Sequence, residues 1–390
     1  MPANRTAEII VMGSGVIGSS IAFHLAKRKA GRTLVVDKGL AGQGGSSRSS
    51  APVRMHYTLP LEVKLAIKSY EIFTNWDDYV GRPGHFIKIG FVRIVPPNEV
   101  ERMKKNVSIQ RELGVNTRTI TAQELKEIEP DWNVDDVPLA AYEPDSGYGN
   151  GSVTATDFLD SAKDLGAEFL PRTRVTAFKV DGGRVSGIVT DGGVIEAPTV
   201  VSAVGPWSRP LFRKVGVDFP VETEYHRVVI LKNPPYMRGG GVACIDSILS
   251  CYYRSEGPDK TLVGEFVGPR DVDPDNFAES VPEEAMAEIA LMAARRIAPL
   301  NDCGVVSAVT GIYDMSPDQR PLLGEVEGVA GLHIAAGFSG MGFKISPAVG
   351  LAMSESILDG KSKTIDISLL RPGRFAEGKP IVAEFEYADE

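Results

Sequence analysis

The chain has 390 residues, 43% of them hydrophobic, with a formal charge of −9. That length accommodates two domains or one large α/β unit with insertions, and the acidic balance argues against nucleic acid or an anionic membrane surface as a partner. No apolar run approaches the ~20 residues of a membrane-spanning helix, and MPANRTAEIIVMG reads as a breaker followed by a strand rather than a signal core, so a cytoplasmic protein without a membrane span is expected.

Residues 7–12, AEIIVM, form an apolar strand ending at a glycine, and 17–29 place Ile17, Ile21 and Leu25 on one helical face. RTLVVDK follows as a second strand, which completes a βαβ unit and makes the sheet at least partly parallel. AGQGGSSRSS, 41–50, is a Gly/Ser loop and 60–80 a helix. From Gly84 to Tyr142 the chain changes character, with the strand-like FIKIGFVRIV and helices near 98–113 and 121–128. Residues 154–166 read as a helix with a Thr or Ser cap. Two DGG turns then build a three-stranded meander, TVVSAVG returns as a buried strand, and 219–267 are β-rich. A helix at 282–298, the strand GLHIAAG, a glycine loop with a lysine (GFSGMGFKIS), a helix from about Ser346 to 359 and a polar tail close the chain. Cys244, Cys251 and Cys303 lack CxxC or Cys/His spacing, so free thiols and no metal site are expected.

Gly13, Gly15 and Gly18 in GSGVIG satisfy G-x-G-x-x-G after a strand and at the start of a helix, where Val16 and Ile17 lie. The first glycine permits the turn, the second lets a pyrophosphate approach the backbone, and the third lets helix and strand pack closely; the helix N-terminus offers unpaired N–H groups. Asp37, followed by Lys38, ends the second strand where an acid can bind a ribose hydroxyl, which leaves NAD and FAD both open.

Seven segments in order, GSGVIG with VVDK, GGSSRSSAPVRMHY, RVTAFKV, VVSAVGPWS, YYRSEGPDKTLVGEF, TGIYDMSPDQRPLLGEV and GLHIAAGFSGMGFKISPAVG, together resemble the D-amino-acid oxidase superfamily of FAD enzymes, in its sarcosine oxidase and glycine oxidase branch. The resemblance implies a mixed α/β (α+β) fold: a Rossmann-like FAD-binding domain in discontinuous segments (1–83, 143–216, 311–362), a substrate domain on a large, mostly antiparallel sheet with flanking helices (84–142, 217–310), and a C-terminal tail (363–390). It also implies that Ser46, Ser47 and Arg48 lie along the pyrophosphate and flavin, Pro52 and Val53 near the flavin ring, Val175 at the adenine, and Ala203, Gly205 and Trp207 near the cofactor. Gly340, Met341, Gly342 and Lys344 would form the wall facing the flavin.

For the substrate, the resemblance implies that Arg54 and Lys344 jointly hold a carboxylate, Arg54 through paired N–H bonds and Lys344 as a point charge. Tyr313 falls at the family's active-site tyrosine, Tyr252 or Tyr253 on a strand lining the pocket, and His56 is a candidate base or a structural residue. Some positions depart from the family pattern. Gly311 stands where monomeric sarcosine oxidases carry a flavin-linking cysteine, and Cys303 is eight residues earlier, so non-covalent FAD is expected. No histidine lies between His85 and His226 to carry a second flavin, FMN. On TLVGEF, Leu262 and the edge residue Lys260 replace the oxygen-activating lysine, and Glu265 or Phe266 a histidine. The implied activity is oxidation of a secondary or N-substituted amino acid such as sarcosine, an N-alkyl glycine or proline, with O2, a quinone or an electron-acceptor protein taking the electrons. Oxidation of a primary amine (glycine or a D-amino acid), or a dehydrogenase subunit relaying electrons in a homo- or hetero-oligomer, are the alternatives.

Overall fold

A computed structural model describes residues 5–237 and 241–388. The expected βαβ start forms: strand Ile9–Met12, helix Val16–Lys27 and strand Thr33–Val36. These two strands sit inside a six-stranded sheet ordered Glu168–Leu170, Thr33–Val36, Ile9–Met12, Thr199–Ser202, Leu332–Ala336, Leu322–Glu325, parallel except for the last pair. Three of its four inner strands are buried at every position (IIVM, TLVV, LHIAA) and the fourth, Thr199–Ser202, at all but Thr199, as a parallel sheet covered on both faces requires. One face is covered by the helices Val16–Lys27, Gly151–Asp164 and Gly342–Asp359, with Ile21, Phe23, Phe158 and Val349 in their shared core. The meander Val175–Asp181, Arg184–Thr190 and Gly193–Glu196 covers the other through Phe178 and Ile188.

The second large sheet has eight strands: Gly304–Met315, Glu222–Lys232, Lys260–Glu265, Cys251–Ser255, Ala243–Asp246, Phe91–Ile94, Ala140–Glu143 and Arg118–Ile120. Every neighbouring pair is antiparallel except Ala243–Asp246 with Phe91–Ile94. Helix Glu283–Arg296 closes one face through Ile289 and Ala293 against Val229, Tyr253 and Val263. The fold is thus the mixed α/β one expected, and among the described residues no helix is long and apolar enough to cross a membrane.

Local boundaries moved for identifiable reasons. The 60–80 helix is two helices, Pro60–Thr74 and Trp76–Val80, broken at Asn75, whose φ of −121° and ψ of 35° leave the helical region. The helix expected at 154 begins at Gly151, capped by Asn150, whose side chain accepts the Val153 N–H at 3.0 Å. The last long helix starts at Gly342, not Ser346, so Lys344 stands in its first turn rather than in a loop. The tail is no simple polar extension: Ile365, Ile367, Leu370, Ala383 and Tyr387 are buried, and Arg374, with no exposed surface, is bonded twice to Asp318.

Candidate active site

The dinucleotide turn is built by close approach. Gly13 has φ +96°, and a Cβ there would fall 2.4 Å from the Ala203 carbonyl oxygen; one on Gly18 would fall 1.9 Å from that of Gly13. Larger residues at either position would separate the helix from the sheet. Gly15 meets only the Ser46 hydroxyl, 3.1 Å from its missing Cβ. That hydroxyl accepts the Val16 N–H at 2.9 Å, and the first turn, which includes Ile17, holds no acid to compete with an anion. Asp37 braces the turn: one oxygen accepts from the Ser14 N–H (2.6 Å) and hydroxyl (2.8 Å), the other from the Gly39 N–H (2.7 Å).

Lys38 lies 3.6 Å over the Trp207 ring, and both bond Asp275, the lysine at 2.6 Å and the indole N–H at 3.0 Å. Gly205, with φ +55°, opens the short helical turn that carries Trp207, and Val175 starts the meander behind it. Ser47 bonds back to the Gln43 and Gly44 carbonyls, while Arg48 donates to the Thr310 carbonyl (2.9 Å) and pairs with Glu279. Gly311 faces Arg48, with 3.3 Å between its missing Cβ and the Arg48 Cβ. Cys303 precedes the strand that carries Gly311, eight residues or about 26 Å of extended chain away.

A cavity of about 200 Å³ lies between the sheets. Pro52, Arg54, Tyr252, Tyr253, Tyr313, Gly340, Met341 and Lys344 line it, whereas Val53 and Gly342 pack behind. Lys344 is 5% exposed and its ammonium donates to the Gly340 carbonyl at 3.2 Å; burial first, then the Arg54 guanidinium, push it well below the usual lysine range. Arg54 packs over Tyr57 at 4.5 Å and Phe91 at 5.4 Å, donates to the His56 carbonyl, and keeps a buried Nε without a hydrogen-bond partner. Among the described residues neither cation forms an ion pair. Glu62 acts on Lys344 and Glu143 on Arg54 only at longer range, so an anion placed between the two cations would favour the charged form of the lysine.

The tyrosines owe their places to two glycines. A Cβ on Gly264 would lie 2.1 Å from the Tyr252 ring across the strand pair, and one on Gly340 (φ +82°) 2.9 Å from the Tyr313 ring. The Tyr252 hydroxyl sits beside that of Tyr313 without the geometry of a full hydrogen bond, and burial raises both phenols. His226 stacks on Tyr313 at 3.9 Å with its Nε2 3.0 Å from Glu224, which Arg270 also holds. Glu265 forms two 2.7 Å bonds to Arg227, so it lines the cavity as a paired charge. Leu262 is buried away from the cavity and Lys260 pairs across from Lys232 at the sheet's far end, so among the described residues Lys344 is the only lysine lining it.

His56 does not line the cavity. Its ring is 1% exposed and stacked on Tyr387 (5.9 Å between centroids), with Nε2 2.9 Å from the Tyr387 hydroxyl. Burial, then Arg93 and Arg54, hold it well below the usual histidine range, and its place is behind Arg54. Charged cavity residues absent from the sequence expectation are Glu62, Arg93, Glu224, His226, Arg254 and Arg320. Arg93, Glu224, His226 and Arg254 reach it through sheet register, whereas Glu62, on helix Pro60–Thr74, and Arg320, after strand Gly304–Met315, pair with each other at 3.2 Å, and no local motif marks any of them.

A Rossmann-type sheet with a glycine turn, joined to a large, mostly antiparallel sheet over a cation-lined cavity, defines a two-sheet, dinucleotide-binding enzyme. The chain belongs to the FAD-dependent oxidoreductase (DAO) family, whose model matches residues 8–356. Human mitochondrial sarcosine dehydrogenase is 25% identical over 379 residues, covering 92% of this chain and 40% of that protein. The 4-methylaminobutanoate oxidase (formaldehyde-forming) of Paenarthrobacter nicotinovorans is 26% identical over 375 residues, covering 92% and 44%. The chain therefore spans less than half the length of these curated relatives. The crystal structure of L-proline dehydrogenase from P. horikoshii superimposes with a TM-score of 0.89 at 28% identity, covering 97% of this chain and all of that one.

The residues present fit the family's FAD. Gly13 and Gly18 keep strand and helix in close contact, the Cβ position of Gly15 meets only the Ser46 hydroxyl and so leaves room beside the helix start, and the first turn of that helix holds no acid, as a pyrophosphate requires.

Proposed function

We propose that the chain oxidises the C–N bond of a small amino-acid-like carboxylate bearing a secondary or N-substituted amine, of the sarcosine, N-alkyl glycine or proline kind, with non-covalently held FAD. The single observation that carries this reading is the buried pair Arg54 and Lys344, brought into one cavity from distant parts of the chain with no direct ion pair among the described residues, while Glu143 and Glu62 act on them only at longer range. Gly13, Gly15, Val16, Ile17, Gly18, Asp37, Lys38 and Ser46–Arg48 would hold the dinucleotide with Val175, Ala203, Gly205 and Trp207. Pro52, Val53 and Gly340–Lys344 would border the flavin. The partition of strands between two sheets supports a discontinuous FAD domain, although the strands Ala140–Glu143 and Gly304–Met315 cross the 142/143 and 310/311 boundaries.

FAD held there would supply the electron sink for loss of a hydride equivalent from the carbon beside the amine, which gives an imine that water hydrolyses. Arg54 and Lys344 fix the carboxylate and so orient that carbon, and the buried Tyr252 and Tyr313 form part of the cavity wall beside it. The amine reacts neutral, so the rate should rise with pH up to the amine pKa; a flat profile would count against this reading. Among the described residues no lysine other than Lys344 lines the cavity, and Leu262 stands on the strand where the family's oxygen-activating lysine is expected, which supports transfer of electrons to a quinone or protein acceptor rather than directly to O2. Slow reoxidation in air with fast dye reduction would support it, and the reverse would point to an oxidase.

Anaerobic bleaching of the flavin across N-methyl amino acids, proline, glycine and D-amino acids identifies the substrate class. Arg54→Ala and Lys344→Met should each weaken carboxylate substrates at least tenfold, the worth of one charge-assisted bond, and spare neutral amines. Equal loss on both would sink the clamp.

A further inference from the structure

The cations of the cavity are held from behind by the C-terminal segment. Tyr387 is 2% exposed, and it touches two of the cavity's arginines by different routes. Its hydroxyl meets His56 Nε2 at 2.9 Å, and the His56 carbonyl is the acceptor for Arg54. Its ring lies 4.5 Å from the Arg93 guanidinium. The preceding residue, Glu386, bonds Arg320 at 2.6 Å, opposite Glu62 at 3.2 Å. Arg54, Arg93 and Arg320 all line the cavity. Two adjacent residues near the end of the chain therefore touch, directly or through one neighbour, three of its cations.

The segment is fastened on both sides of this contact. Asn106 donates to the Phe385 carbonyl at 2.9 Å, the Ala388 N–H to Glu99 at 2.8 Å, and the Ile381 N–H to Asp318 at 2.9 Å. The Arg54–His56 stretch is gripped from its other side by the fully buried Glu143, which accepts the Met55 N–H at 3.0 Å. Arg54 is thus located by a backbone pinned at Glu143 and a ring pinned at Tyr387.

The charges then sort into two groups. Glu62 and Glu386 engage Arg320, Glu256 engages Arg254, and Glu265 and Glu224 engage Arg227 and Arg270. Arg93 lies against the Tyr387 ring, and Arg54 and Lys344, which Glu143 and Glu62 reach only at longer range, face the cavity without a direct ion pair among the described residues.

We propose that Glu386 and Tyr387 are specificity-determining positioning residues: Tyr387 sets Arg54 through His56, and Glu386 neutralises Arg320, so that the cavity selects a single carboxylate over two. This deepens the carboxylate-clamp reading above and rests on it.

The test uses the FAD-loaded full chain and two ligands that cannot be oxidised there, acetate and malonate, with Kd read from the perturbed flavin absorbance and, independently, by calorimetry. Tyr387→Phe keeps the ring and removes the hydroxyl; acetate Kd should rise at least threefold with the melting temperature little changed. Glu386→Gln leaves Arg320 with less negative charge, so malonate should tighten at least threefold relative to acetate. Arg54→Ala is the control on the underlying reading. If it leaves acetate binding unchanged, the clamp itself is wrong. If it abolishes binding while Tyr387→Phe and Glu386→Gln both match wild type, the clamp stands and this inference is overturned. Should Tyr387→Phe prove unstable, the malonate-to-acetate ratio of Glu386→Gln decides alone, an unchanged ratio refuting the proposal.

Discussion

Replacing Asp314 with asparagine should abolish a pH dependence of stability. Asp314 follows Tyr313 and secures the glycine turn: its carboxylate accepts the Gly337 N–H at 2.6 Å and its carbonyl the Ser339 N–H at 2.9 Å. Burial raises its pKa from 3.8 to about 6 against the opposing backbone N–H bonds. Since the folded state holds its proton more tightly than the unfolded chain, the group's contribution is complete below pH 3.8 and lost as pH rises through 6. A shift of roughly two units at 1.36 kcal/mol per unit gives roughly 3 kcal/mol. In Asp314→Asn the amide oxygen still accepts from Gly337 but nothing titrates. Urea unfolding of both proteins between pH 4 and 7.5, a range that spans most of that total, should therefore show the gap moving by roughly 2.4 kcal/mol in favour of the variant as pH rises, with equal m-values. A gap constant within about 1 kcal/mol would refute the reasoning, because it would mean the carboxylate is no harder to ionise here than in the unfolded chain.

His24 should act in the opposite sense. Burial lowers its pKa from 6.5 to about 4, outweighing its bond to the Ser20 carbonyl, so its contribution is present above pH 6.5 and lost as pH falls through 4. Wild type should lose roughly 3 kcal/mol more than His24→Gln on that path, in acid titrations followed by circular dichroism. Binding of acetate should take up protons, because an anion favours the charged form of a lysine that burial and Arg54 depress; calorimetry in buffers of different ionisation enthalpy measures it, and Lys344→Met should remove the uptake. Gly264→Ala should cost about 1–3 kcal/mol by overpacking the Tyr252 ring, and much less in a Tyr252→Ala background, as a double-mutant cycle would show. Gly18→Ala, which presses a methyl into the Gly13 carbonyl, should yield protein without flavin absorbance.

What could be read before the structure was whatever local chemistry encodes. Strand, glycine turn and helix at residues 9–27 follow from burial pattern and steric need, and the parallel sheet follows from them. The pairing of Arg54 with Lys344 has no local signature and was readable only through family resemblance. Glu224 and His226 looked like ordinary strand positions, and only the register of Glu222–Lys232 against Gly304–Met315 sets His226 against Tyr313. Boundaries failed where side chains overrode expectation: Asn150 supplies the cap expected from Thr or Ser, and the last helix begins at Gly342, four residues before Ser346. The tail was the largest omission. Its residues have no periodicity to read, since they are held one by one through Arg374, Ile381, Phe385 and Ala388.

That last arrangement bears on how the molecule is made. The glycine turn is complete once residue 203 has been synthesised, and the eight-stranded sheet once residue 315 has. Glu386 and Tyr387 leave the ribosome later than both, so Arg54 and Arg320 wait, partly unsupported, until the segment docks. Chains that stall or are clipped before that point can hold a nearly complete fold and still lack the finished cavity. A conformation-sensitive probe of the Tyr387 contact would report maturation more faithfully than any measure of secondary structure.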